Sequence, residues 1–352
     1  MNIQECKHIL PQVLEVGLVP FLQGAPGIGK TDIVKEVAKE MIRKDELNKD
    51  GKPKKGWPLY YLSLAQLSRE SFLMAVPDIK EKKLEFFLLG IPAERNKDWI
   101  FFLDEVDKSD LELQGLLLAL LREKKLGSLD LGKVHFILAG NSPENSSDSQ
   151  PFIAPLQSRI VQINVEPVQP ADWLQWASQK YTIPSWLYGF LSQIPSQLWY
   201  TPTPPEDFEP YPSPRGWEDA LKYITKHNPQ LPLQEDTFLI IKGTVGNLAA
   251  KELVKYTELQ QNFFSWKQFK EYFSKKKIPQ ISGTQGWYLI GETIQNFEEL
   301  TDEMIGFLHD VFVKNTQVAL FARWFRMLKD EQKEKVLNVE KVFKTLEELV
   351  MG

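Results

Sequence analysis

Short apolar runs alternate with segments of helical periodicity through the first half of the chain. This alternation of strand-like and helical segments favours a largely parallel sheet covered by helices on both sides. The strands are predicted at residues 18–23, 59–64, 99–103, 134–139 and 160–165.

A helix is predicted after the first strand, because apolar residues recur there at a 3.6-residue period. The stretch that follows, residues 43–56, contains six basic and three acidic residues together with glycine and proline. We therefore expect an exposed loop at 43–56, with a basic surface for nucleic acid as the alternative. The apolar residues of the predicted helix are Val34, Val37, Ala38, Met41 and Ile42.

A second helix is predicted to begin at Ser109, where Glu112 three positions later completes the pattern of a capping box. The segment 122–133 contains two glycines, which indicates a turn or a short hairpin before the fourth strand. We assign the first 165 residues, in which strands and helices alternate, to one α/β domain. The buried face of the second helix is predicted to consist of the leucines at 113, 116, 117, 120 and 121.

Helical periodicity replaces the strand pattern after residue 165. Tryptophans at 173 and 176, Trp186, and an apolar stripe from Trp217 to Ile224 indicate separate helices. A proline-rich connection at 201–214 is predicted to be a loop. We therefore expect a helical domain at 166–250, followed by a helical C-terminal extension at 251–352.

Composition and charge narrow the class of protein. The 352 residues are 43% hydrophobic and 25% charged, and the net charge of −5 weakly disfavours a protein dedicated to nucleic acid. Cys6 is the only cysteine, so neither an intrachain disulfide nor a cysteine-based zinc site is possible. The first residues lack a signal-peptide pattern and the apolar runs are too short to span a bilayer, so we expect a soluble, cytoplasmic protein.

The segment after the first predicted strand carries the pattern G-x-x-x-x-G-K-[ST], which is typical of loops that bind nucleotide phosphates. Its glycines allow backbone N–H groups to approach the phosphates, and the following helix adds the positive end of its dipole. Lys30 is expected to contact the β- and γ-phosphates, and the Thr31 hydroxyl to ligate Mg²⁺. A glycine-proline turn with a chance Lys-Thr pair is the alternative. The predicted nucleotide-binding residues are Gly24, Ala25, Pro26, Gly27, Ile28, Gly29, Lys30, Thr31 and Asp32.

Two predicted strands end in polar residues that suit a bound triphosphate. Asp104 and Glu105 follow the third strand, and ligands of parallel sheets bind beyond the carboxyl ends of the strands. Asp104 is expected to hold Mg²⁺ through water, and Glu105 to polarise the water that attacks the γ-phosphate. Asn141 follows the fourth strand, where a neutral amide can bond both the γ-phosphate and the water. The alternatives are an acidic pair at a loop entry and a turn asparagine.

Two arginines are further candidates. Arg159 directly precedes the fifth strand, where it is poorly placed to reach its own site but could stabilise transition-state charge in a neighbouring subunit. Ser213 and Pro214 have the pattern of a helix start, and Arg215 could contact the γ-phosphate from the helical domain. From spacing alone, an exposed arginine with a local partner is an equally good interpretation of both.

The order of the segments GAPGIGKT, FFLDE, AGN, SRI and SPR resembles that of AAA+ ATPases, and most of all the MoxR group. The resemblance covers about residues 5–250 and implies a P-loop NTPase fold, the AAA+ core, followed by a helical lid. By this resemblance residues 24–31 are the Walker A motif, and Asp104 with Glu105 is the Walker B motif. Asn141 is then sensor 1, Arg159 the arginine finger that acts in trans, and Arg215 sensor 2.

The resemblance also implies an ATPase that uses ATP and Mg²⁺ and works as a ring, usually hexameric. Such rings remodel protein partners, often ones with a von Willebrand A domain. An insert near residues 76–98 would face the ring pore or the substrate. Two alternatives stay open: an AAA+ motor or loader acting on nucleic acid, and a nucleotide-binding scaffold without turnover.

Overall fold

The chain forms two compact units, Met1–Val168 and Gln169–Gly352. The first contains strands and helices and is called the α/β unit below; the second contains only helices among its described regular elements and is called the helical unit. The division of the helical half at residue 250 stays a prediction. The computed structural model describes residues 1–47, 52–66, 73–80, 82–88, 95–126, 129–141, 150–202, 205, 209–258 and 263–351.

Parallel pairing of five strands forms the centre of the α/β unit. The strands described are β1 (Val19–Gln23), β2 (Ile42–Leu47), β3 (Pro53–Lys55), β4 (Leu59–Ser63), β5 (Leu73–Asp78), β6 (Lys83–Leu88), β7 (Trp99–Asp104), β8 (Lys125–Leu126), β9 (Leu129–Asp130), β10 (Val134–Gly140) and β11 (Ile160–Asn164). The central sheet has the order β11-β1-β10-β7-β4, and each neighbouring pair is parallel. The pairs β2–β3, β5–β6 and β8–β9 are antiparallel hairpins, and β8–β9 confirms the hairpin predicted at 122–133.

Helices pack against both faces of this sheet. Phe101 of β7 and Phe136 of β10 lie in one buried cluster with Leu117 of a helix that follows β7. Because successive strand residues face opposite sides, Phe102 and Ile137 face away from that cluster; both are also buried, and the helix after β1 contacts the same two strands. The predicted sheet is confirmed, with each strand end correct to within one residue. The helices of this unit are α1 (Ile3–Glu15), α2 (Lys30–Glu40), α3 (Leu111–Glu123) and α4 (Ala154–Gln157), with 3₁₀ turns at Leu64–Gln66 and Val106–Lys108.

Two predictions for the segment after α2 are wrong. The helix ends before Ile42, which lies in β2 and is 51% exposed. Of the exposed loop expected at 43–56, residues 43–47 and 53–55 instead lie in the antiparallel strands β2 and β3, and residues 48–51 lie outside the described residues. The carboxylate of Glu46 pairs with three cations there, an arrangement that a local hydrophobic period does not reveal. These cations are Arg43, Lys54 and Lys97.

The start of α3 also differs from its prediction. Asp110 is the N-cap and accepts the Leu113 N–H at 2.7 Å. Ser109 is buried, and its hydroxyl donates to the Val106 carbonyl oxygen at 2.5 Å, so the predicted capping box with Glu112 is wrong. An aspartate next in sequence takes the cap because the serine belongs to the preceding turn. The predicted leucine face of α3 is confirmed, with every member buried or partly buried against the sheet.

The helical unit contains a helix at each apolar stripe predicted above, at residues 170–180, 185–192 and 214–227, together with helices that were not predicted individually. None of the helices described is both long and apolar enough to cross a bilayer. Ser213 caps one helix by accepting the Gly216 N–H at 3.0 Å, as its Ser-Pro pattern predicts. The helices described are α5 (Pro170–Lys180), α6 (Ser185–Ser192), α7 (Ser196–Trp199), α8 (Pro214–His227), α9 (Glu235–Val245), α10 (Asn247–Glu258), α11 (Trp266–Ser274), α12 (Gly283–Gln295), α13 (Asp302–Lys314), α14 (Val318–Met327), α15 (Asp330–Leu337) and α16 (Glu340–Met351), with a 3₁₀ turn at Phe297–Glu299.

A glycine allows α6 and α12 to pack closely. A Cβ atom at Gly291 of α12 would lie 2.6 Å from the Ser185 Cα and 2.7 Å from the Tyr188 Cδ2. Both distances are well inside van der Waals contact, and the first is to backbone, which cannot rotate away. By contrast, a Cβ atom at Gly243 of α9 would meet nothing within 4 Å.

Gly291→Ala should therefore destabilise the helical unit by about 1–3 kcal/mol, the usual cost of overpacking a core. Gly243→Ala is the matched control, which should stabilise the protein by about 0.5–1 kcal/mol because alanine loses less backbone entropy in a helix. Urea denaturation followed by circular dichroism measures both. Equal effects of the two substitutions would contradict the close packing of α6 on α12.

Candidate nucleotide-binding site

The loop between β1 and α2 has the backbone that its glycines predict. Gly27 and Gly29 have φ angles of 75° and 102°, left-handed values that glycine adopts without strain. A Cβ atom at Gly24 would lie 2.7 Å from the Val165 carbonyl oxygen, so a side chain has no room there. No side chain caps α2 at its start. An uncapped helix start after a glycine loop is the arrangement in which backbone N–H groups bind an anion.

Lys30 is almost fully buried, at 9% exposure, and its ammonium group is surrounded by oxygen acceptors. Its Nζ donates to the carbonyl oxygens of Gly24 and Ala25 at 2.7 and 3.0 Å, and to Asn141 Oδ1 at 3.2 Å. A buried ammonium needs such partners because it loses hydration. The phosphate loop and the end of β10 are thereby joined through one cation.

Thr31 and Asp104 bring the phosphate loop to the end of β7. The Thr31 hydroxyl donates to Asp104 Oδ2 at 3.1 Å, and Asp104 is 9% exposed. Mg²⁺ prefers oxygen ligands and is usually held by one or two protein oxygens together with water and substrate phosphates. A hydroxyl and a carboxylate this close fit such an ion. Among the described residues, no group of three or more His, Cys, Asp or Glu could hold a metal by itself.

Glu105 is held by its backbone and by a neighbouring strand. Its φ angle is 56°, a left-handed value that a non-glycine residue keeps only where the surrounding structure imposes it. The hydroxyl of Ser63, at the end of β4, donates to Glu105 Oε2, and Ser63 is in register with Asp104. Sequence reasoning missed Ser63. The available signal was a polar residue at the carboxyl end of a predicted strand.

Asn141 lies at the end of β10, between the phosphate-loop strand β1 and the acidic strand β7. Its backbone N–H donates to Asp107 Oδ1 at 3.0 Å, while its side-chain oxygen accepts from Lys30. Asp107 is 3% exposed and lies in the 3₁₀ turn after Glu105. Sequence reasoning missed this residue too, because only the packing of that turn brings it to β10.

Arg159 is not part of this cluster. It precedes the amino end of β11, whereas the phosphate loop follows the carboxyl end of the neighbouring β1, and the register pairs Gln23 with Asn164. The intervening strand is about 13 Å long at the usual rise per residue. The side chain is exposed, and its Nη1 donates to the Pro155 carbonyl oxygen at 2.7 Å and to Ser158 Oγ at 3.2 Å.

The two remaining predicted site residues, Asp32 and Arg215, each lie in the first turn of a helix. Asp32 lies in the first turn of α2 and is partly buried. Arg215 is exposed in the first turn of α8, in the helical unit, so its predicted contact with the γ-phosphate stays a prediction.

The geometry above defines a P-loop nucleotide-binding domain. Residues 20–159 match the model of the family described as ATPase family associated with various cellular activities (AAA). This part of the chain is an AAA-family ATPase domain, which supports ATP as the nucleotide; the MoxR group stays a prediction.

Solved structures show only distant likeness to the chain. NtrX from Brucella abortus is 12% identical, with a TM-score of 0.41, over 98% of this chain and 67% of its own. NtrX from Brucella abortus in complex with ATP is 14% identical, with a TM-score of 0.40, over 92% of this chain and 67% of its own. No curated protein matches the chain.

Lys30→Met should weaken ATP binding by about 10- to 100-fold, the usual worth of hydrogen bonds from a charged group. Lys35→Met is the matched control, since Lys35 lies on the same helix with its side chain exposed. Isothermal titration calorimetry with ATP and Mg²⁺ measures both. Equal affinities for the two variants would remove Lys30 from the binding site.

Proposed function

We propose that the chain hydrolyses ATP in a Mg²⁺-dependent reaction at the cluster around Lys30. The observation that carries this proposal is the convergence of Lys30, Thr31, Asp104 and Asn141 at the carboxyl ends of three adjacent strands, β1, β10 and β7. Phosphoryl transfer depends mainly on positioning and on neutralising charge. A cation, a hydroxyl, a carboxylate and an amide held together provide both.

In this proposal Glu105 is the general base that orients the attacking water. Its carboxylate accepts a hydrogen bond from the Ser63 hydroxyl group. This hydrogen bond must be replaced by one to the attacking water before Glu105 can act as the base. Lys30 must likewise exchange the carbonyl oxygens of Gly24 and Ala25 for phosphate oxygens. Thr31 and Asp104 would hold Mg²⁺, which neutralises phosphate charge.

We further propose that Arg159 completes the site of a neighbouring subunit and that the protein works as a ring. The exposure of Arg159 and its place at the opposite end of the strand from its own phosphate loop support action in trans. A head-to-tail interface repeated around a closed ring gives every site such an arginine. Arg215 is proposed to sense the γ-phosphate from the helical unit.

Remodelling of protein partners by a MoxR-like ring, usually a hexamer, is the proposed cellular activity, and the cytoplasm its proposed location. Partners with a von Willebrand A domain are the first candidates. This part of the proposal rests on the sequence resemblance. A motor or loader on nucleic acid is the alternative. The basic surface near residues 43–56 gives it little support, because Arg43, Lys54 and Lys97 all pair with the carboxylate of Glu46.

Glu105→Gln should lower ATP turnover by about 10²- to 10⁴-fold, the usual contribution of a general base, while the Kd for ATP stays unchanged. Glu112→Gln is the matched control, because Glu112 is exposed on α3 and should keep full turnover. Phosphate release measures turnover, and calorimetry measures binding. Full turnover in Glu105→Gln would exclude this residue as the base.

The Glu105→Gln protein, which should bind ATP without hydrolysing it, can also be used to measure the number of subunits in the assembly and to identify the class of partner. Light scattering on a sizing column gives the number of subunits, and co-purified proteins give the partner class. A monomer in saturating ATP would contradict the ring. Stimulation of wild-type turnover by DNA or RNA, weakening steeply with salt, would favour the nucleic-acid alternative instead.

Arg159→Ala should bind ATP normally and lose hydrolysis, since the lost charge acts only in the transition state. Mixing it with Glu105→Gln subunits should restore activity, because each variant supplies what the other lacks. In random rings about a quarter of the interfaces then pair an intact base with an intact arginine. No recovery in the mixture would contradict action in trans.

A further inference from the structure

Gln114 is a polar residue in the leucine-rich face of α3. It is completely buried, as are Leu113 and Leu117 beside it on the helix. Burying an amide costs free energy unless its donors and its acceptor all find partners. An apolar side chain would fill the same space without that requirement, so the contacts of Gln114 indicate why an amide is present.

The side chain of Gln114 joins two separate segments. Its Nε2 donates to the carbonyl oxygens of Ser109 and Pro151, each at 3.3 Å, and its Oε1 accepts the Ile153 N–H at 2.9 Å. Ser109 closes the 3₁₀ turn that follows Glu105. One buried amide therefore ties the turn behind the proposed general base to the chain that leads into α4.

Asp107 makes a second connection between the same segments. Its Oδ1 accepts the Asn141 N–H at 3.0 Å, and its carbonyl oxygen accepts the Gln150 N–H at 2.6 Å. A Cβ atom at Gly140 would lie 2.6 Å from that Oδ1, so only glycine leaves room for the carboxylate. Asp107 and Gln114 together bind Asn141 and the residues from Gln150 to Ile153.

The contacts continue from Ile153 to Arg159. The Ile153 carbonyl oxygen accepts the N–H groups of Leu156 and Gln157 at 2.9 and 3.1 Å, which closes the first turn of α4. The Pro155 carbonyl oxygen in that turn accepts Arg159 Nη1 at 2.7 Å. Gln114 thus fixes the residue where α4 begins, and α4 holds the guanidinium.

We propose that Gln114 is a positioning residue for Arg159 and couples two sites. It connects the turn that carries Glu105 in its own subunit to the arginine presented to the next subunit. This inference rests on the proposed function, in which Arg159 acts in trans. A displacement of the turn in one site would then move the arginine of the adjacent site.

Gln114→Met tests this coupling, because methionine keeps the length and helix propensity of glutamine and removes all three hydrogen bonds. The variant should bind ATP with unchanged Kd and lose turnover by about 10- to 100-fold, the cost of a misplaced catalytic group. The same substitution at Gln179, which is exposed on α5, is the matched control and should leave turnover unchanged.

Subunit mixing separates the proposed role from a merely structural one. If the arginine is misplaced, Glu105→Gln subunits restore turnover to Gln114→Met subunits, and Arg159→Ala subunits do not. Rescue by Arg159→Ala would place the defect in the variant's own site and overturn the inference. Rescue by neither, or full turnover of Gln114→Met alone, would also overturn it.

Arg159→Ala mixed with Glu105→Gln is the reference. If that pair shows no recovery, the trans role fails and the inference fails with it; if that pair recovers and Gln114→Met does not, only the inference fails. Should Gln114→Met not fold, Gln114→Glu replaces it, because burial favours the protonated carboxyl group, which keeps an acceptor for the Ile153 N–H and one O–H donor for a carbonyl oxygen. It should show a smaller loss with the same pattern of rescue, and the opposite pattern would overturn the inference.

Discussion

The buried ammonium of Lys30 is the constraint on which the candidate site depends. A charge at this depth is tolerated because two carbonyl oxygens of its own loop and the amide oxygen of Asn141 replace its hydration. These acceptors come from the ends of two paired strands, so the pairing of β1 with β10 and the position of the cation support each other. In the proposed function these oxygens are exchanged for phosphate oxygens, so the contacts that stabilise the buried charge are also those of the candidate site.

A second layer of polar contacts lies behind the carboxylates. Asp107 and Gln114 are buried among apolar side chains, and their hydrogen bonds join the turn after Glu105 to the end of β10 and the start of α4. Buried polar groups with all partners in place favour one arrangement of the segments they join. The acidic turn, the amide of Asn141 and the segment before Arg159 are therefore held as one connected body.

Much of the α/β unit was predictable from local patterns. The five sheet strands were predicted from short apolar runs that alternate with helical segments. Lys30, Thr31, Asp104 and Asn141 were predicted from a glycine-rich loop and from polar residues at strand ends. The hairpin at β2–β3 was missed because Glu46 gains its partners through folding, including Lys97, which is distant in sequence. Ser63 was missed for a related reason, since its contact with Glu105 depends on β4 lying beside β7.

The sequence by itself determined the parallel sheet, the phosphate loop and the chemical type of each strand-end residue, because the spacing of apolar residues and the backbone freedom of glycine are local properties. Only the tertiary structure decided which of those residues meet. Strand order places β10 between β1 and β7, and it thereby brings Asn141 to Lys30. Packing likewise decided that Gln114 is buried and bonded, because the burial of a polar side chain depends on segments that its own neighbours in sequence do not specify.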